Sequence, residues 1–229
     1  APRALSGGID YHKRLVKGDA IDTAVSILID ASGSMDGPEL DICRKLALIL
    51  ETALAGTPIK HEIIGFTTAD ESEADPSYQT MLQAHQNRGE PMNLRAIGLY
   101  EFRGFGQSHG TAMRAIGNMT DVPLGMTPTS EAILMTHDRL ARRPEQRHVM
   151  FVLTDGAPDC RIATRKAVRA VERCGVTVVG IGIQSNAVDG LFDNAVVLSD
   201  ARDLPALMLS KLSALLLGDK GKVALKGRA

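Results

Sequence analysis

Residues 23–34 read TAVSILIDASGS, and this stretch decides the fold. Its first eight residues are almost continuously apolar and rich in β-branched side chains, which is typical of a central strand buried on both faces of a parallel sheet. The strand pattern ends at Asp30, and a loop of small residues follows. We therefore expect a buried strand that brings a carboxylate to one edge of the sheet.

Strand and helix patterns alternate along the rest of the chain. Apolar segments predict further strands at 60–68, 93–102, 147–154, 176–183 and 195–199. Apolar residues at helical spacing, with proline or glycine near the ends, predict helices at 38–56, 111–119, 128–143, 162–174 and 205–217. This alternation predicts an α/β fold, in which a doubly wound, mostly parallel sheet is flanked by helices in a single domain.

The two ends of the chain differ from this pattern. Residues 1–20 are polar and lack sustained periodicity, so we expect an N-terminal arm, followed by the folded domain at 21–217. Residues 218–229 are rich in lysine and are expected to form a basic, solvated tail. The chain begins Ala-Pro-Arg, without an initiator methionine or a signal-peptide pattern, so we expect it to be a piece of a longer protein.

The composition disfavours several classes of function. With 229 residues and a formal net charge of −1, the chain lacks the surplus of Lys and Arg that a dedicated nucleic-acid binder needs. No apolar run approaches the roughly 18–20 residues that span a bilayer. The three cysteines are too widely spaced for a zinc clip or a disulfide framework, and Cys43 and Cys174 are expected to be small buried side chains on helix stripes. We therefore expect a cytoplasmic protein whose partners are neither nucleic acid nor membrane.

The loop after the first strand carries the first chemical signal. Asp30, Ser32 and Ser34 offer three oxygen ligands at alternate positions, and Gly33 eases the turn between them. A compact set of hard oxygen ligands suits Mg²⁺ or Mn²⁺ better than zinc or copper. The alternative is that the two serines cap the following helix and that Asp30 only ends the strand.

Two further strand ends carry oxygen ligands. Thr127 precedes Pro128, the expected first residue of a helix, and is either a helix cap or a metal ligand, while Asp155 follows a buried strand in the segment VLTDG. Thr129 competes with Thr127 as the hydroxyl ligand of this loop. Because the ends of parallel strands meet at one edge of a sheet, five side chains can converge on one cation: Asp30, Ser32, Ser34, Thr127 and Asp155.

These residues resemble the metal-ion-dependent adhesion site (MIDAS) of the von Willebrand factor A (vWA) domain. The resemblance extends over residues 22–217 and implies a Rossmann-like fold in which the five residues hold Mg²⁺, partly through water, with Mn²⁺ or Ca²⁺ also possible. It implies one open coordination position, which a carboxylate of a partner protein fills. It also favours Thr127 over Thr129. Asp36 and Asp159 are expected to orient metal-bound water.

A narrower resemblance lies in four segments, IDTAVSILIDASGSM at 21–35, IGFTT at 64–68, ARRPEQR at 141–147 and TDGAP at 154–158. They are similar to the carboxy-terminal domain of the T subunit of aerobic cobaltochelatase. This resemblance implies a non-catalytic subunit of an ATP-dependent enzyme that inserts cobalt into a corrinoid ring in cobalamin biosynthesis. The implied partners are an AAA+ ATPase and a large chelatase subunit.

Three functions remain open at this point. The first is Mg²⁺-dependent protein docking in a chelatase-like assembly. The second is an adhesion-type, ligand-binding vWA domain, and the third is a Mg²⁺-dependent phosphohydrolase that uses Asp30.

Overall fold

A six-stranded sheet forms the centre of the protein. The computed structural model describes residues 22–68, 97–122 and 124–198, together with the single residues 80, 87 and 210. The strands are β1 (Thr23–Asp30), β2 (Lys60–Thr68), β3 (Ile97–Arg103), β4 (Arg147–Thr154), β5 (Val176–Ile183) and β6 (Asn194–Leu198). Their order in the sheet is β3-β2-β1-β4-β5-β6.

The sheet is parallel except at one edge. β1 lies between β2 and β4 and is parallel to both, and β5 and β6 continue this direction. Only β3 is antiparallel, and it pairs with β2. All eight residues of β1 are buried, as expected for a strand covered on both faces. The prediction of a mostly parallel, doubly wound α/β fold is confirmed.

Helices cover both faces of the sheet. The described helices are α1 (Pro38–Leu54), α2 (His109–Gly117), α3 (Thr129–Ala141) and α4 (Arg161–Arg173). Alternate residues of β1 separate the two cores: Val25 and Ile27 pack with α1 and α2, whereas Ala24 and Leu28 pack with α3 and α4. This three-layer arrangement leaves the carboxyl ends of the parallel strands open between the helices.

The predicted bounds of four strands, β1, β2, β4 and β5, agree with the structure. α2 begins earlier than predicted because Ser108 caps it, with its hydroxyl accepting a hydrogen bond from the backbone N–H of Thr111. Cys43 is buried as expected, but Cys174 is exposed. The prediction for Cys174 was wrong because α4 ends at Arg173, and the chain then turns through Gly175, whose φ is 87°.

Several predictions fall outside the described residues: the arm at 1–20, the first part of the strand at 93–102, the helix at 205–217 apart from residue 210, and the tail at 218–229. Among the helices of the described ranges, none is both long and apolar enough to cross a membrane.

A buried ionic cluster joins α1, β2, β3 and α2. Glu51 of α1 is fully buried and accepts hydrogen bonds from His61 Nε2 (2.7 Å), from His109 Nδ1 (2.9 Å) and from Arg103. Arg103 also donates to the backbone oxygen of His61 at 2.6 Å. Because each charged group in the cluster has a partner, the cluster fixes the antiparallel edge strand against its neighbours.

Candidate metal centre

Asp30 stands at the carboxyl end of the central strand and is fully buried. Its Oδ1 accepts a hydrogen bond from the backbone N–H of Ser32 at 2.9 Å, and its Oδ2 accepts one from Thr154 Oγ1 at 2.6 Å. Ile29 pairs with Leu153 across β1 and β4, which places the next residue, Thr154, beside the carboxylate. Hydrogen bonds from the protein therefore hold both carboxylate oxygens of Asp30 in place.

The two serines of the loop connect Asp30 to the second carboxylate. Ser32 Oγ lies 3.1 Å from Ser34 Oγ, and Ser34 Oγ donates to Asp155 Oδ1 at 2.7 Å. Four of the five predicted ligands thus form one hydrogen-bonded group, although Asp155 is 121 residues from Ser34 in sequence.

The helix-capping alternative for the serines is not supported by these contacts. The residue that precedes α1 is Gly37, with φ of 88°, and no side chain caps that helix. Ser32 precedes a single 3-10 turn, Gly33–Met35, and also makes no side-chain cap there. The hydroxyls are therefore directed into the candidate metal centre, where they contact each other and Asp155.

The loop that carries Thr127 is held against the ends of β1 and β2. Gly33 N–H donates to the Gly125 oxygen at 2.8 Å. Thr67 Oγ1 accepts from Gly125 N–H at 2.8 Å, and Thr68 Oγ1 accepts from Met126 N–H at 3.0 Å. A Cβ atom on Gly125 would lie 2.8 Å from Thr67 Oγ1 and closer still to Thr68 Oγ1. This close approach requires glycine at position 125.

Thr127 itself is fixed by Asp159. The Thr127 N–H donates to Asp159 Oδ1 at 3.0 Å, and the Asp159 N–H donates to the Thr127 oxygen at 3.0 Å. The hydroxyl of Thr129 donates to the same backbone oxygen at 3.4 Å, whereas the Thr127 hydroxyl has no hydrogen-bond partner among the described residues. α3 starts at Thr129, so Pro128 precedes the helix, contrary to its predicted place as the first helical residue.

Asp36 makes no hydrogen bond with this group. It is exposed, follows the 3-10 turn Gly33–Met35, and its side chain makes no hydrogen bond to any residue that the structure describes. Its predicted role in orienting metal-bound water stays a prediction. Asp159, by contrast, contacts the backbone of Thr127.

The electrostatics of Asp30 follow from its burial. Burial raises the pKa of Asp30 to about 6, the hydrogen bonds from Thr154 and Ser32 oppose this rise, and the nearby charge of Asp155 adds to it. Neither Asp30 nor Asp155 forms an ion pair with a cationic side chain in the part of the chain that the structure describes.

The ligand chemistry fits a hard divalent cation. Buried carboxylates in proteins are normally paired with a positive side chain or bound to a metal. Here two carboxylates and several hydroxyls converge, which is the oxygen-rich environment that Mg²⁺, Mn²⁺ and Ca²⁺ use. The described ranges, this site included, contain no group of three or more His, Cys, Asp or Glu side chains placed to hold a metal ion, so hydroxyl oxygens would have to supply the remaining ligands here.

Comparison with known families identifies the domain. Residues 12–218 match the family model described as "Cobalamin biosynthesis protein CobT VWA domain". The match covers most of the 229 residues. The chain belongs to this family. The two resemblances deduced from the sequence, to vWA domains and to the T subunit of cobaltochelatase, are thereby confirmed.

Solved structures show the same vWA fold at low sequence identity. The pilus adhesin SpaC from Lactobacillus rhamnosus GG has a TM-score of 0.61 at 13% identity, over 85% of this chain and 30% of that protein. Manganese-loaded TRAP protein of Plasmodium vivax has a TM-score of 0.55 at 15% identity, over 81% and 71%. Proximal thread matrix protein 1 of the mussel byssus, with a zinc-occupied MIDAS motif, has a TM-score of 0.56 at 15% identity, over 82% and 44%. The chain thus spans about 30% of the length of the adhesin.

The sequence predicted no role for three hydroxyl groups of this vWA domain that contact the candidate site. Thr154 was quoted within the TDG motif but given no role, although it donates to Asp30. Thr67 and Thr68 end the predicted second strand, and only the sheet order shows that they contact the Thr127 loop. In the sequence, this contact was indicated by two adjacent threonines at the end of the second strand, which is a neighbour of β1.

Proposed function

We propose that this chain is the Mg²⁺-dependent protein-docking vWA domain of a cobaltochelatase-like AAA+ assembly, which inserts a metal into a corrinoid or related tetrapyrrole in the cytoplasm. The observation that carries the proposal is the hydrogen-bonded group of Asp30, Ser32, Ser34 and Asp155, which contains two carboxylates and no positive side chain. Membership of the CobT vWA family supports the link to cobalamin biosynthesis.

Some side chains of the site are expected to be ligands of the cation, and others orient those ligands. The expected ligands are Asp30, Ser32, Ser34, Thr127 and Asp155. Thr154 orients Asp30, and Asp159 orients Thr127 through its backbone. A bound divalent cation supplies the positive charge that attracts a carboxylate of the partner protein. Manganese in TRAP and zinc in the mussel protein support a divalent cation here, and we propose Mg²⁺.

The proposed partners are an AAA+ ATPase subunit and the large chelatase subunit. The ATPase supplies the free energy of ATP hydrolysis, the large subunit carries out metal insertion, and this domain docks one to the other without catalysing a reaction. We expect the partner carboxylate to contact the cation at one edge of the sheet, at the loops that carry the expected ligands.

The position of Asp30 favours docking over phosphate hydrolysis. A nucleophilic aspartate must reach the phosphorus atom of its substrate, but Asp30 is fully buried, and both of its oxygens accept hydrogen bonds from the protein. An adhesion-type role would use the same site with a different ligand. The family match favours the chelatase assembly over that role.

Surface plasmon resonance tests this proposal. The AAA+ ATPase subunit and the large chelatase subunit from the same organism are immobilised separately, and this chain is passed over each in Mg²⁺ or in EDTA. We expect binding to at least one subunit in Mg²⁺, with loss of binding in EDTA and in the Asp155→Asn variant. Asp193→Asn is the matched control, because Asp193 is exposed and precedes β6, at the opposite end of the sheet. Equal binding in Mg²⁺ and EDTA would refute the proposal.

A further inference from the structure

A groove of about 320 Å³ lies between α3 and α4, on the outer side of the sheet. Leu134 of α3 and three alanines of α4, Ala163, Ala167 and Ala170, form most of its lining. Glu131 and Lys166 also line it and add one charge of each sign. Leu134 is 45% exposed, so the groove presents apolar surface to solvent.

Exposed apolar side chains are concentrated on α3, α4 and the loop before α3. Among the described residues, five of the six large hydrophobic side chains that are exposed belong to α3, α4 or the loop before α3: Leu124, Met126, Leu134, Met135 and Ile162. Ile162, in the first turn of α4, is 71% exposed. Single exposed hydrophobic residues are common, but their concentration in one region marks an interaction surface.

The outer surface of α4 is strongly basic. Arg165, Lys166, Arg169 and Arg173 are exposed, and the helix carries one acidic residue, Glu172. No ion pair joins Arg165, Lys166 or Arg173 to an acidic residue within the described ranges. The chain as a whole has a formal charge of −1, so this cluster is a local excess that attracts an acidic partner.

The groove includes residues from the first turns of α3 and α4, Ser130 and Ala163. Ser130 lines the groove and lies three residues after Thr127 in the chain. Asp159, which is hydrogen-bonded to Thr127, lies three residues before Ile162. The groove therefore begins within three residues of Thr127 along the chain.

We infer that the groove between α3 and α4 binds an acidic, amphipathic segment of a partner protein, with its large apolar side chains against Leu134 and the alanines and its carboxylates beside the cations of α4. Apolar side chains provide most of the affinity in such grooves, and complementary charge fixes the partner and its direction. Nucleic acid would satisfy the charge of α4 but has no aliphatic side chains for the groove. This inference rests on the proposed docking function for the identity of the partner, whereas contact with the groove does not require the cation.

A designed peptide tests the groove directly. The probe is a fluorescein-labelled helical peptide with leucines at helical spacing and glutamates elsewhere, measured by fluorescence anisotropy and by amide chemical-shift mapping on the full chain. We expect shifts centred on Leu134 and Ala170, and binding about tenfold weaker in Leu134→Asp and in Lys166→Glu. Ile49→Asp, at an exposed side chain of α1 on the other face of the sheet, and Arg114→Glu, exposed on α2, are the matched controls and are expected to bind as wild type.

The same assay separates this inference from the metal-dependent function. Peptide binding is expected to persist in EDTA and in Asp155→Asn, conditions that abolish docking through the cation. If Leu134→Asp does not fold, Ala170→Asp replaces it, because Ala170 also lines the groove and is only partly buried. The inference is wrong if the peptide does not bind, if a lysine-substituted peptide or a single-stranded oligonucleotide binds as tightly, or if the chain sediments as a dimer that Leu134→Asp dissociates.

Discussion

Thr154 shows how one hydroxyl orients the buried carboxylate of Asp30, a proposed metal ligand. Its Oγ1 donates to Asp30 Oδ2 at 2.6 Å from the adjacent strand, while the backbone of Ser32 donates to Oδ1. These two hydrogen bonds hold the carboxylate in one orientation and partly offset the free-energy cost of burying its charge. Partners that orient a ligand in this way commonly change metal affinity by about 10- to 100-fold.

Thr154→Val is therefore expected to lower the affinity for Mg²⁺ by about tenfold or more. Valine has nearly the same shape but cannot donate to Asp30, so the carboxylate loses one of its two fixed hydrogen bonds. Isothermal titration calorimetry with Mg²⁺ measures the effect. Thr154→Ser keeps the hydroxyl and is expected to retain most of the wild-type affinity, and an unchanged affinity in Thr154→Val would contradict this role.

Candidate metal ligands could be proposed from the sequence alone where they belong to a short local motif. Asp30, Ser32 and Ser34 share a five-residue motif, and Asp155 ends a continuous apolar strand. The contact between Thr154 and Asp30 depends on the pairing of β1 with β4, which a single sequence does not encode locally. The predicted role of Asp36 in orienting metal-bound water stays a prediction, because its exposed side chain makes no hydrogen bond to any described residue.

Among the secondary-structure elements, β2 positions the loop of Thr127. The hydroxyls of Thr67 and Thr68 at its end accept hydrogen bonds from two successive backbone amides of that loop, those of Gly125 and Met126. Glycine at position 125 allows this approach, because a side chain there would collide with both hydroxyls.

Gly125→Ala is expected to displace this loop and move Thr127 away from the other ligands. We expect a loss of about 1–3 kcal/mol in the free energy of unfolding, from overpacking, together with weaker Mg²⁺ binding. Urea denaturation and calorimetric titration measure the two effects. Gly110→Ala is the matched control, since a Cβ atom at position 110 of α2 has no neighbour within 4 Å. Wild-type Mg²⁺ affinity in Gly125→Ala would contradict the proposed positioning.

The ionic cluster around Glu51 makes stability depend on pH. Burial lowers the pKa of His61 below its ordinary value of 6.5, as does the charge of Arg103, and the hydrogen bond to Glu51 only partly opposes this. Burial raises the pKa of Glu51, but hydrogen bonds from His109 and His61 and the charge of Arg103 outweigh burial, so its pKa lies below the ordinary value. In the folded state, His61 therefore takes up its proton at a lower pH than it does in the unfolded chain.

The contribution of His61 to the free energy of unfolding is thus expected to fall as the pH drops below 6.5, whereas Asp30, whose pKa burial raises to about 6, contributes in the opposite direction. His61→Gln keeps a donor to Glu51 but cannot titrate, so its slope against pH is expected to be shallower, by up to about 1.4 kcal/mol per pH unit. Urea denaturation at a series of pH values measures both slopes. Identical slopes for wild type and His61→Gln would show that His61 does not titrate as described.

The elements that the sequence predicted best are the buried parallel strands, because continuous apolar segments define β1, β2, β4 and β5 locally. The antiparallel direction of β3 was not predicted, since it depends on contacts between distant residues such as Arg103 and Glu51. The start of α3 was misplaced by one residue because proline is as acceptable before a helix as in its first turn.

In the whole molecule, the sheet order brings the ligands together. β1 lies at the centre, so the loops that follow β1 and β4 and the loop before α3 meet at one edge. A parallel bridge between Ser32 and Gly125 joins the first and last of these loops. Convergence of the strand ends was predictable from the α/β pattern, whereas the hydrogen bonds within the site required the structure.

Binding of a single Mg²⁺ ion to this edge is the central claim, and calorimetric titration of the purified chain with Mg²⁺ tests it most directly. We expect one ion to bind per chain, and binding to be lost in Asp155→Asn and retained in the control Asp193→Asn. Mn²⁺ is expected to compete for the same site. If wild type binds no ion, or if Asp155→Asn binds Mg²⁺ as tightly as wild type, the converging oxygens do not form a metal site and the proposed docking mechanism is wrong.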